Sequence, residues 1–131
     1  MAPSQRAPLG LIAGSGGLPL EIARSARGRA RRVVAVALTG QADPALEAQV
    51  SALTWLYPGQ VGRVVEVLRA AGVREVILAG KLPKLALDDP AALRPDALAL
   101  ALLRRLSDRH DASILSGVAD HLAEHGIRLL P

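Results

Sequence analysis

The first group of residues able to do chemistry is Gly14-Ser15-Gly16-Gly17-Leu18-Pro19, which follows the apolar run Leu9 to Ala13 and leads into a segment with helical spacing. Backbone amides at such a strand-to-helix junction, backed by the positive end of the helix dipole, can hold a phosphate or a pyrophosphate. As a dinucleotide fingerprint the turn fails twice. Pro19 stands where the third glycine of G-x-G-x-x-G belongs, and the second apolar run closes in Leu38-Thr39-Gly40 without the acid that takes a ribose hydroxyl pair. No Gly-Lys-Ser/Thr follows, so it is not a P-loop either. An anion-binding turn and a bare tight turn both fit these residues.

Lys81 and Lys84 are the only lysines, and Lys81 falls just past a later apolar run, Val73 to Ala79. An ammonium there can reach a phosphate held by the first turn; a solvated lysine is the ordinary alternative. Gln60, after Pro58-Gly59, is either a ligand contact or a capping partner. His121 and His125 stand at i and i+4, a spacing that a metal can use, but no zincin-type glutamate accompanies them and Asp120 lies on another face. Surface histidines favoured by a helix C-terminal dipole are the better reading. His110-Asp111 joins no Ser-His-Asp arrangement, and the absence of Cys excludes a thiolate nucleophile, a thiolate metal site and a disulfide scaffold. No catalytic residue and no metal ligand is assigned.

These residues need a frame. Strands are expected at Leu9 to Ala13, Val33 to Leu38, Ala52 to Tyr57, Val73 to Ala79 and Ile127 to Leu130. Helices are expected from Leu18 to Arg27 with Gly28 as its stop, from Asp43-Pro44 to Val50, and through Val61, Val64, Val65 and Leu68 before Gly72. After turns at Asp88-Asp89-Pro90 and Arg94-Pro95, two more are expected, Asp96 to Ser107 and one capped by Asp111 that ends at Gly126. Ala97 to Leu103 is apolar all round, so the first of these should be buried on more than one face. The alternation predicts an α/β Rossmann-like three-layer sandwich with a mostly parallel sheet in the order 3-2-1-4-5. Ligands in such sheets sit beyond the carboxyl ends of the strands near the switch point. That rule gathers the candidate binding residues Gly14, Ser15, Gly16, Gly17, Leu18, Thr39, Gln60, Gly80 and Lys81.

The chain has 131 residues, enough for one domain over 9–131 after a flexible 1–8, and half of them are hydrophobic although Trp55 and Tyr57 are the only aromatics. Sixteen Lys and Arg against twelve Asp and Glu leave a formal +4, which favours anionic partners. Arg24, Arg27, Arg29, Arg31 and Arg32 form the densest cluster, but it falls at the amino edge of the expected sheet, and two aromatics leave bases little to stack on. A solvated face is the simplest reading, with attraction to an anionic membrane as the second; no nucleic-acid partner is expected. No apolar run approaches the roughly 20 residues that span a bilayer. A cytoplasmic chain, peripheral to the inner membrane at most, is expected.

Four segments in register carry a family resemblance: 11–19, 34–44 (with Leu38-Thr39-Gly40-Gln41-Ala42-Asp43-Pro44), Gly59-Gln60-Val61-Gly62, and Val76-Ile77-Leu78-Ala79-Gly80-Lys81. Together they resemble the amino-terminal domain of the two-domain UDP-2,3-diacylglucosamine pyrophosphatase family of lipid A biosynthesis. The likeness continues through Arg94-Pro95-Asp96 and the last helix. It implies hydrolysis of a UDP-linked diacylated glucosamine to 2,3-diacylglucosamine 1-phosphate and UMP, with Mg2+ or a similar divalent ion in the full enzyme. The catalytic acids and the metal would belong mainly to a carboxyl-terminal domain absent from this chain, so the isolated domain is expected to bind the lipid sugar phosphate or UDP-sugar and to hydrolyse nothing. Asp88, Asp89 and Asp96 are the acids near the expected ligand edge and are given no role. Homodimerisation through the apolar helix and peripheral membrane contact are left open. The alternatives are an NAD(P)-binding oxidoreductase domain and a non-catalytic dimerising interaction module.

Overall fold

The computed structural model describes residues 7–57, 59–81, 96–98, 100–101 and 114–130. Five strands, β1 (Leu9–Ala13), β2 (Val33–Leu38), β3 (Ala52–Leu56), β4 (Glu75–Ala79) and β5 (Arg128–Leu130), form one sheet in the order β3-β2-β1-β4-β5, as expected from the alternation of elements. Every neighbouring pair is parallel. Because β1 and β2 are covered on both faces, all their residues are apolar or glycine and all are buried.

The pleat divides each strand between two cores. Val34, Val36 and Leu38 join Ile12, Val64, Leu68 and Leu122 under α2 (Val61–Ala70) and α3 (Ile114–Glu124). Val33, Ala35 and Ala37 face α1 (Leu18–Gly28) and a six-residue 3-10 helix (Pro44–Gln49). The small side chains on this second face let α1 lie close, through Ala23 and Ala26. Full burial of a leucine such as Leu11 or Leu68 contributes about 1.5–3 kcal/mol. Among the described residues no polar or charged residue is buried.

Helix ends explain where the strands depart from expectation. α1, α2 and α3 stop in the same pattern of two backbone hydrogen bonds, with a left-handed residue at Ala30, Gly72 or Gly126. Its amide bonds back to Arg27, Arg69 or Ala123, and the next amide bonds to Ala26, Leu68 or Leu122. Val73 and Ile127 are therefore spent closing helices, and β4 and β5 begin later than their apolar runs suggest. Gly28 is not the stop of α1: it is the last helical residue, and the left-handed position falls on Ala30 at φ 57. The expected helix from Asp43 is instead 3-10, where the Asp43 side chain accepts from the Ala45 amide at 2.9 Å and Pro44 takes the first position. β3 stops at Leu56, one residue short, because Tyr57 turns back to Gln60.

After Asp96, residues 97, 98, 100 and 101 are helical. Leu98 packs against Val61, while Ala97, Leu100 and Ala101 are exposed, so among these residues one face is covered rather than several. Pro58, the turns at Asp88-Asp89-Pro90 and Arg94-Pro95, His110, the Asp111 cap and the rest of the apolar helix lie outside the described residues. No described helix is long and apolar enough to cross a membrane.

Candidate functional site

All nine candidate binding residues stand at the carboxyl edge of the sheet, in three clusters. The first is a crossing of two backbones. The Gly14 amide continues the β1–β4 ladder by donating to the Ala79 carbonyl at 2.8 Å. Ser15 and Lys81 then exchange two backbone bonds, 3.0 and 2.9 Å, as an antiparallel bridge beyond the strands. A Cβ on Gly14 would overlap the Lys81 carbonyl, and one on Gly80, at φ +89, would meet the Ser15 carbonyl oxygen at 2.6 Å. Both glycines are needed so that the two chains can cross.

This crossing consumes the amides of Gly14 and Ser15. Those of Gly16, Gly17 and Leu18 have no acceptor among the described residues. Gly16 lies at φ +99 with open space around its Cβ position, and Gly17 heads α1 without any side-chain cap. Pro19 is in the first turn of the helix and has no amide to offer. The anion-holding capacity of the turn therefore rests on residues 16–18. Lys81, exposed and in no ion pair among the described residues, is the direct bridge partner of Ser15. Opposed bridge residues have their Cβ atoms about 4.5–5.5 Å apart, which roots the Lys81 side chain beside this turn.

The second cluster closes the start of α2. Gln60 holds the N-cap position of α2 but its side chain caps no helical amide: its Oε1 accepts from the Tyr57 amide at 2.8 Å and closes the preceding turn. Asp96 reaches across from the later helical segment, its Oδ2 accepting from the Gly62 amide at 2.7 Å while its own amide donates to the Gly59 carbonyl at 3.0 Å. A carboxylate thus already occupies the N-terminus of α2, where dipole and amides favour an anion. Among the described residues no side chain caps the first amides of α1, whose own acid, Glu21, stands further into the first turn. Sequence reasoning gave Asp96 no role, because its partner lies 34 positions away; the available signal was an aspartate standing just before an apolar helical run. Thr39, the third site, is half-buried at the end of β2, its amide donating to the Leu56 carbonyl at 2.8 Å.

Among the described residues no three His, Asp or Glu side chains cluster, and the Asp96 carboxylate is engaged on α2. His121 and His125 meet edge to face with ring centroids 4.8 Å apart near the end of α3, and His121 Nδ1 lies 3.5 Å from Glu124. Two large apolar side chains are exposed at the carboxyl edge, Leu18 at 52% and Leu100 at 44%.

The family model for the LpxI N-terminal domain matches residues 8–131. The chain belongs to that family. The UDP-2,3-diacylglucosamine pyrophosphatase LpxI of Caulobacter vibrioides is 33% identical over 124 residues, an alignment covering 92% of this chain and 42% of the relative. The chain thus spans less than half the length of that curated relative. Among solved structures, the biotin carboxylase domain of a single-chain bacterial carboxylase superposes with a TM-score of 0.56 at 14% identity, over 93% of this chain and 23% of that one. At this identity the likeness shows the fold alone. Membership in the LpxI N-terminal domain family does not favour the oxidoreductase and interaction-module readings.

Proposed function

We propose that this chain is the substrate-binding amino-terminal domain of a UDP-2,3-diacylglucosamine pyrophosphatase. The amides of Gly16, Gly17 and Leu18 hold the diphosphate of the nucleotide sugar, and Lys81 supplies the countercharge. The observation that carries this reading is the contrast between two helix N-termini at one sheet edge: α2 holds the carboxylate of Asp96, and α1 has no side-chain cap. A pyrophosphate on α1 satisfies the amides that the fold leaves without acceptors. Leu18 and Leu100, exposed on the same edge, suit the apolar part of a diacylated sugar.

The reaction of the named relative's class adds water across the P–O–P link and releases UMP and the sugar 1-phosphate. A divalent ion would supply charge neutralisation and an activated water. The role assigned to this domain, on the amides of residues 16–18 and on Lys81, is to bind and orient the substrate. Thr39 and Gln60 then act by shaping the edge: Thr39 ties β2 to β3, and Gln60 closes the turn before α2. Calorimetric titration with UDP-2,3-diacylglucosamine tests the reading. Binding is expected for the native chain and is lost in Gly16→Asp, which adds a like charge and a Cβ at a left-handed position. Magnesium-dependent release of UMP by this chain alone would contradict the binding-only role.

A further inference from the structure

The opposite edge of the sheet carries a feature that the diphosphate reading does not use. A groove of about 330 Å³ opens between α1 and the β1–β4–β5 side of the sheet. Leu9, Ile22, Ile77 and Leu130 make it apolar, and Arg29 and Arg31 stand among its lining residues. Its volume falls at the lower end of small-molecule sites, roughly 300–1,000 Å³.

Arg31 is the informative residue. Its side chain is 19% exposed, its Nη2 donates to Glu75 at 3.2 Å, and its Nε is buried without an acceptor. Glu75 is shared with Arg128, so one carboxylate serves two guanidinium groups. Arg29 and Arg74 stand at the same edge, so among the described residues the arginines here outnumber Glu75. A buried donor without an acceptor, a surplus of positive charge and an apolar floor together describe the complement of a negatively charged head on an aliphatic tail. A bare inorganic anion would leave the floor unused. The exposed aromatic, Trp55, is on β3 at the far side of the sheet, so nothing described here stacks a base.

We propose that this groove binds a single-chain anionic amphiphile of the fatty-carboxylate class, its tail along Ile22, Ile77 and Leu130 and its carboxylate on Arg31 and Arg29. The site is separate from the glycine turn and goes beyond the pyrophosphatase reading. The test is calorimetric titration of the intact chain with decanoate below its micelle concentration, beside decanol and inorganic phosphate. One equivalent of decanoate is expected, with decanol and phosphate each at least about tenfold weaker, the scale of a charge-assisted hydrogen bond. Arg31→Met should weaken decanoate by about tenfold. Arg29→Gln, an exposed position that leaves the ion pairs of Glu75 intact, should weaken it several-fold and guards against a folding defect in the first variant. Nucleotide-sugar binding, titrated separately, should be unchanged in both variants, so either site can fail without the other. Absence of decanoate binding, equal binding of decanol or phosphate, or normal decanoate binding by Arg29→Gln and Arg31→Met would overturn the proposal. So would binding to phosphatidylglycerol vesicles without binding of monomeric decanoate, which would make this edge a membrane contact.

Discussion

The carboxylate of Asp96 accepts the amide proton of Gly62 at 2.7 Å, so the chain just ahead of the helical residues 97 and 98 is fastened to the start of α2. The contact does two things. It satisfies an N-terminal amide of α2, and it fills with a carboxyl oxygen the helix end that would otherwise compete with α1 for a phosphate. Asp96→Ala should cost about 0.5–2 kcal/mol, the range for loss of a capping side chain, measured by urea unfolding. Asp96→Asn, which keeps an acceptor, should cost less.

Gly14 and Gly28 make opposite predictions for the same substitution. An alanine at 14 drives a methyl into the Lys81 carbonyl, where backbone must move, so Gly14→Ala should destabilise by about 1–3 kcal/mol and weaken nucleotide-sugar binding with it. An alanine at 28 meets nothing within 4 Å at the end of α1, so Gly28→Ala should be stabilising by up to about 0.5–1 kcal/mol. Thermal unfolding of the two variants would separate a crossing that requires glycine from a position that merely contains it.

Ala30 occupies the left-handed position that glycine fills at the ends of α2 and α3. Left-handed geometry costs a residue with a Cβ roughly 1–2 kcal/mol. Ala30→Gly should therefore raise the stability of the chain by about 1 kcal/mol, less the greater chain entropy of glycine in the unfolded state. A fall in the unfolding midpoint would mean that α1 ends differently.

Hydrogen bonds from Arg128 and then Arg31 hold the Glu75 carboxyl below its ordinary value of 4.5. A depressed carboxyl contributes stability that is complete above its unfolded pKa and is lost as pH falls through the folded one. Unfolding free energy should thus decline in acid below the ordinary carboxylate range. Glu75→Gln should be less stable at neutral pH and should show a flatter acid limb in the same pH series.

Strand order could be read from the sequence because it depends on short-range pattern: Val33 to Leu38 is continuous in apolar character, and Val61, Val64, Val65 and Leu68 share one helix face; the single core expected for a chain of this length is instead divided in two by the sheet. Boundaries slipped where one residue served two elements, as Val73 and Ile127 do in closing a helix before a strand. The glycine turn was recognised for its type, but its chemistry divides in a way that only the fold reveals. Gly14 and Gly80 are glycines so that the two backbones can cross, and the amides of Gly14 and Ser15 are spent on the carbonyls of Ala79 and Lys81. Gln60 stands at the N-cap position of α2, but its side chain bonds the Tyr57 amide ahead of the helix, a local turn contact that its residue type alone does not reveal. The Asp96–Gly62 contact is a long-range bond between segments whose local patterns are complete without it.

The division of labour within the turn can be read one amide at a time. In a nitrogen-15 correlation spectrum of the chain titrated with UDP-2,3-diacylglucosamine, the amide signals of Gly16, Gly17 and Leu18 should move in proportion to occupancy, and that of Gly62, held by Asp96, should stay in place. Saturable shifts centred on Gly62 and the start of α2, with the 16–18 amides unmoved, would place the diphosphate elsewhere and contradict the site.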